Sequence, residues 1–90
     1  MRAKLDDIEL ELIALAQERH GQVGLKNVYA PLLTKKSDTF LLYTIRSLGD
    51  RGFLRLKTTG RSYQVFVTNR GKRYLEYYAR SNGNDDPGVA

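Results

Sequence analysis

The apolar residues of this 90-residue chain change their spacing twice. Leu5, Ile8, Leu12 and Leu15 recur at steps of three and four, and so do Leu41, Ile45 and Leu48. That is the period of a helix with one buried face. From Leu54 the pattern alternates, with Arg55 and Lys57 set between apolar residues, and the run from Ser62 to Thr68 is rich in β-branched and aromatic side chains. A period of two marks strands. Beyond Thr68 the helical spacing returns with Tyr74, Leu75, Tyr77 and Tyr78. A chain this short forms one domain, so the helices and the strand pair must share a single core. The expected class is mainly α with a small β-hairpin (α+β).

Local signals set the boundaries. Asp6 and Glu9 suit a capping box, and Asp7 complements the helix dipole, so a first helix is expected over about residues 6–20. Leu10, Ile13 and Ala16 widen its stripe, and Gly21 stops it. Arg19 and His20 fall in its last turn, where a helix C-terminus accounts for the lone histidine. The segment Gln22-Val23-Gly24 is too short for a free strand and is expected at most as a single-residue bridge. A second helix follows over about 25–33, with Leu25, Val28, Tyr29 and Leu32 on one side and Pro31 ending or kinking it. After the polar turn Thr34-Lys35-Lys36, Ser37 or Asp38 caps a third helix over about 37–51, closed by Gly52. The hairpin occupies about 53–67 around a turn at Thr58-Thr59-Gly60-Arg61. Thr68 or Asn69 caps a last helix over about 69–80, which completes a domain of residues 1–80. Residues 81–90 lack apolar periodicity and are expected to form a flexible tail.

Several function classes find no support. There is no cysteine, hence no disulfide framework and no thiolate zinc site. No apolar run approaches the ~18 residues that span a bilayer, and the N-terminus turns acidic at Asp6 and Asp7, where a signal peptide would stay apolar. A cytoplasmic protein without membrane association is expected. No His/Asp/Glu cluster has metal-ligand spacing, and no glycine-rich phosphate loop is present. The chain is therefore expected not to be an enzyme and to need no metal or cofactor.

Charge supplies the positive indication. Fifteen Lys and Arg against ten Asp and Glu give net +5, and the pI is about 9.7. The excess is uneven: residues 1–20 are net −2, residues 21–80 net +9 and the last ten net −2. A concentrated positive region attracts a polyanion, most commonly nucleic acid.

Two stretches carry a family resemblance. From Ser37 through the seam of Leu41, Ile45 and Leu48 to Gly52, Phe53 and Leu54, the chain resembles the recognition-helix region of winged helix-turn-helix regulators. Their pattern is a leading Ser, an aliphatic seam, then Leu-x-x-x-Gly and two apolar residues. The run Val67-Thr68-Asn69-Arg70-Gly71-Lys72-Arg73-Tyr74-Leu75 is similar to the Leu-Thr-x-x-Gly-x-x-Tyr/Phe-Leu motif after the wing of MarR/PadR-like members. The resemblance covers about residues 6–80. It implies the order helix, short strand, helix, helix, two strands, helix. It also implies double-stranded DNA as partner, and a transcriptional regulator.

The site residues follow from that frame. Lys35 and Lys36 would neutralise phosphate, and the amino end of the third helix around Ser37 and Thr39 would bind one. Phe40, Tyr43, Arg46 and Ser47 would face the major groove, while Arg55, Lys57 and Arg61 reach backbone or minor groove from the wing. About six phosphate contacts per protomer would give a log–log salt slope near −5. Phe40 and Tyr43 stand where the family often has Arg, Gln or Asn, so a protein-docking patch of Phe40, Leu42 and Tyr43 is the rival reading. Structured RNA, read by shape through the same basic surface, is a further one. Leu10 and Ile13, off the main stripe of the first helix, and the tyrosines of the last helix suggest a homodimer through the terminal helices.

Overall fold

At the start of α1 (Asp7–Glu18) the capping box is closed: Glu9 N donates to Asp6 Oδ1 at 2.9 Å, and Asp6 N donates to Glu9 Oε1 at 3.0 Å. The computed structural model describes residues 5–88, with side chains as far as Tyr78. After α1 come α2 (Leu25–Tyr29), a 3₁₀ turn (Ala30–Thr34), α3 (Asp38–Asp50), β1 (Leu54–Thr59), β2 (Ser62–Val67) and α4 (Asn69–Gly88). The architecture is α+β, four helices and one antiparallel hairpin, compatible with a small winged-helix-like fold.

α1 ends at Glu18, two residues earlier than expected. Gly21, at φ +81°, turns the chain toward the hairpin, where its N–H donates to Val65 O at 2.8 Å. His20 is thereby removed from the helix end and stands edge-on to Phe66, with ring centroids 5.1 Å apart. Its packing on an aromatic ring, not a helix dipole, accounts for its position. The sheet has two strands, where the resemblance implies three and the segment Gln22-Val23-Gly24 by itself only a single-residue bridge. The would-be strand before α2 amounts to an isolated bridge between Val23 and Gln64.

Pro31 explains the break after α2. It has no N–H to donate to Asn27 O, and the Arg19 guanidinium fills that place at 2.7 Å. The chain tightens into the 3₁₀ turn, so one kinked helix becomes two short pieces over the expected span. Ser37 caps α3, its Oγ accepting from Phe40 N at 3.1 Å. At the other end Gly52 adopts φ +87°, Gly52 N donates to Gly49 O and Phe53 N to Leu48 O. This is the Schellman closure, with Leu48 and Phe53 meeting in the core.

Pairing in the hairpin runs from Leu54 opposite Val67 to Thr59 opposite Ser62, leaving Gly60 and Arg61 as the whole loop. Gly60 has φ +61° and Arg61 a negative φ, the type II′ combination. Thr68 then begins α4: its hydroxyl donates to Gly52 O at 2.6 Å and accepts from Gly71 N at 3.1 Å. A Cβ on Gly71 would stand 2.3 Å from Phe53 O. The first turn of α4 thus rests directly on the backbone between α3 and β1, and this is why the motif needs Thr and Gly three apart. α4 continues past its expected end at Arg80, so the expected tail is helical through Gly88. Helix growth adds a hydrogen bond per residue, and Pro87 is the first residue beyond Arg80 that cannot donate one.

Every element contributes to one core, including Leu12, Ile13, Ile45, Leu48, Phe53 and Val65. Leu10 and Ile13 lie inside it, while Ile8 and Leu15 are only partly buried. α1 packs against α2, α3, β2 and α4, so its buried arc is broader than the stripe read from spacing, and Leu10 and Ile13 are not available to a second copy.

Candidate nucleic-acid interface

α3 turns Leu41, Thr44, Ile45 and Leu48 inward. Thr44 is buried, and its hydroxyl donates to Phe40 O at 2.8 Å, which satisfies it locally. Thr39, Phe40, Tyr43, Arg46 and Asp50 are exposed, Tyr43 to 72% and Phe40 to 42%. Ser47 is half-buried on one flank and Leu42 on the other. Lys36 sits over the Phe40 ring at 5.2 Å, which places a cation at the amino end of this face.

The hairpin stands beside the carboxyl half of α3. Strand side chains alternate between faces, and the register sets Leu54, Leu56, Tyr63, Val65 and Val67 on the face toward the core. Gly49 lets Leu56 approach: a Cβ there would lie 3.4 Å from Leu56 Cδ1. Arg46 lies over the Tyr63 ring at 5.7 Å, a cation–π contact that ties a helix cation to the hairpin. Arg46, Gly49, Asp50, Leu56 and Tyr63 border a groove between the two elements. Tyr63 was absent from the sequence candidates. The sequence marks it only as part of a strand rich in β-branched and aromatic residues, and the cross-element contact reveals its role beside α3.

Three expected site residues are engaged elsewhere or face another way, and a fourth is shared between two hollows. Lys35 Nζ reaches Glu11 at 3.3 Å and is bound to α1. The Ser37 hydroxyl is occupied as a cap. Lys57 falls on the hairpin face turned away from α3, where with His20, Phe66, Asn69 and Lys72 it lines a separate hollow. Arg55 borders both hollows. Two more cations of the basic tract are structural. Arg51 pairs with Glu9 of α1, and Arg70 lies over the Phe53 ring at 4.7 Å. The sequence segregates acidic and basic residues, but folding brings Glu9 and Glu11 back onto part of the basic tract. Thr39, Phe40, Tyr43 and Arg46 remain together on α3 with Lys36 just before its amino end, and Arg61 is exposed at the hairpin tip.

The base of α3 is held by one polar contact. Tyr29 is buried, and its hydroxyl donates to Asp38 Oδ1 at 2.6 Å. Burial first, then the hydrogen bond and the charge of Asp38, pushes the Tyr29 hydroxyl up to about 12.

Among the described residues no group of three or more His, Cys, Asp or Glu is placed to hold a metal ion. No helix among them is long and apolar enough to cross a membrane. No family model matches the chain, and a search of curated proteins finds none similar to it.

Proposed function

We propose that this chain binds double-stranded DNA and acts as a transcriptional regulator, with α3 in the major groove and the hairpin tip on the adjoining backbone or minor groove. The observation that carries the reading is the exposed outer face of α3, with Tyr43 at 72%, set between Lys36 at one end and the hairpin at the other. A helix about 10–12 Å across fits the major groove. Arg46 is the one forked donor on this face, suited to paired hydrogen bonds with guanine. Tyr43 and Phe40 offer ring edges for thymine methyl groups, and the Tyr43 hydroxyl offers a phosphate contact.

The cations available to one duplex are fewer than the sequence suggests. With Lys35 paired to Glu11 and Lys57 facing away, Lys36, Arg46 and Arg61 are the principal contacts. Three neutralised phosphates correspond to a log–log salt slope of about −3 per protomer, in place of about −5. Titrating labelled duplex at several salt concentrations tests this. A slope near −3, weakened uniformly by Arg61→Ala, supports the reading, and absence of binding at low salt ends it.

The exposure of Phe40 and Tyr43 favours one rival, a protein-docking face. Leu42 drops out of that patch, being half-buried on the opposite flank. Partner binding that survives charge reversal of Arg46 and Arg61 would support it. The RNA reading is separated by competition, since a helix cannot enter the narrow A-form major groove. A homodimer through α1 and α4 belongs to the same proposal. Ile8, Ala14, Leu75 and Tyr78 line a hollow between those helices together with Asp7, Glu11 and Lys35, and Tyr77 of α4 is 63% exposed.

A further inference from the structure

We propose that the hairpin face turned away from α3 is a second phosphate-binding surface, which holds the backbone of a second DNA segment while α3 holds the first. This rests on the DNA-binding reading above, and it makes each protomer a bridge between duplexes.

The hollow on that face is lined by Arg55, Lys57 and Lys72 with His20, Phe66 and Asn69. Among the described residues no carboxylate takes part in the lining. Lys57 and Lys72 have no ion-pair partner among the described residues, in contrast to Lys35 and Arg51, which α1 neutralises. α4, a 20-residue helix, begins at Asn69 on the rim of this hollow, so its positive amino end adds to the field of the side chains. Phe66 is half-buried in the same lining, with the His20 ring edge-on to it. Fixed positive charge on a ready-made floor is the chemistry of a phosphate contact.

Arg55 and Lys57 are two residues apart on one strand, about 7 Å along it, and Lys72 joins them in the same lining from the first turns of α4. Three spaced cations suit the repeating charge of a polynucleotide better than one small anion. The pleat decides that this is a second segment. Leu56 and Tyr63 face α3, while Lys57 faces the other way, so the thickness of the hairpin stands between Lys57 and the α3 surface, with Arg55 at the edge that borders both.

The test uses the full chain, a duplex tethered to beads and a free labelled duplex at low salt. Wild-type protein is expected to retain the free duplex on the beads. The double substitution Lys57→Glu with Lys72→Glu, at two exposed positions, is expected to bind a single duplex within about threefold of wild type while capture falls by about tenfold or more. Three results overturn the proposal and leave the α3 reading standing. The first is wild-type binding of one duplex without capture. The second is undiminished capture by the variant. The third is loss of single-duplex binding in the variant as deep as in Arg46→Ala with Arg61→Ala, which would put Lys57 and Lys72 on the first duplex. Failure of wild type to bind any duplex overturns both.

Discussion

Tyr29 is fastened to Asp38 by a 2.6 Å hydrogen bond, which joins the buried end of α2 to the first residue of α3. The contact spans the 3₁₀ turn and fixes how α3 leaves the body. Its energetics depend on pH in a definite direction. The Tyr29 hydroxyl titrates at about 12 in the folded chain, against 10.0 ordinarily. A group whose folded value is raised contributes stability that is complete below pH 10 and is lost as pH rises toward 12. Two units correspond to roughly 2–3 kcal/mol. Urea midpoints for wild type and Tyr29→Phe are therefore expected to converge and then cross as pH rises from 9 to 12, because the loss exceeds the advantage wild type holds at neutral pH. At pH 7, Tyr29→Phe should cost about 1–2 kcal/mol. A constant difference between the two proteins across that range would contradict this account.

Gly71 is expected to be the least tolerant glycine. An added Cβ meets Phe53 O at 2.3 Å and Val67 Cγ1 at 2.9 Å, and the first of these is backbone. Relief requires α4 to lift from the segment between α3 and β1. Gly71→Ala should cost about 2–3 kcal/mol. Gly60→Ala, with open space around it and only its positive φ to strain, should cost about 1 kcal/mol. Thermal melts of the two variants check the order.

Glu9 works at both ends of its carboxylate. Oε1 accepts from Asp6 N in the capping box, and Oε2 takes the guanidinium of Arg51 from the end of α3. Glu9→Gln retains an oxygen for the cap but loses the ion pair, and should cost about 1 kcal/mol. Glu9→Ala loses both and should cost about 2–3 kcal/mol. A double-mutant cycle of Glu9→Gln with Arg51→Met isolates the pair, and a coupling near zero would leave the Arg51 side chain without an energetic role in orienting α3.

The contrast between Glu9's two partners explains what the sequence makes legible. The capping box, the Ser37 cap, the Gly52 closure and the Thr68 start are chemistry among residues three to five apart, so the elements can be read directly. Arg51 lies 42 residues from Glu9 and Lys35 lies 24 from Glu11. Such pairings exist only after folding, so net charge by segment overstates the cationic surface. Lys57 illustrates a different limit. Its charge is plain in the sequence, but which face of the hairpin it occupies depends on the strand register, which only the packing of Leu56 and Val65 decides. The end of α4 differs again, since propagation from a stable first half carries it past the last apolar residues.

Self-association is expected to depend on the tyrosines of α4 rather than on Leu10 and Ile13, which the core already uses. Tyr77 is 63% exposed and Tyr78 40%. Tyr77→Ser with Tyr78→Ser should shift sedimentation toward the monomer at micromolar concentration while the melting temperature of the monomer changes little. Removing two partly exposed rings from a dimer seam typically weakens it by more than about tenfold. Unchanged sedimentation would exclude α4 from the contact.

Arg46 and Tyr63 offer a sharper test of the α3 reading than charge alone. The ring under the guanidinium restricts its rotamers. Tyr63→Phe keeps the ring and should leave duplex binding unchanged. Tyr63→Ala removes about 0.5–1 kcal/mol of cation–π contact at an exposed site, so affinity should fall about two- to fivefold. The salt slope should not move in Tyr63→Ala, because no charge is lost. Arg46→Ala should lower the slope by about one and erase preference for guanine at one position. Titrations across salt, paired with selection from a randomised duplex pool, read both quantities. Equal loss in Tyr63→Phe and Tyr63→Ala would show that the hydroxyl, and not the ring, is what the bound duplex meets.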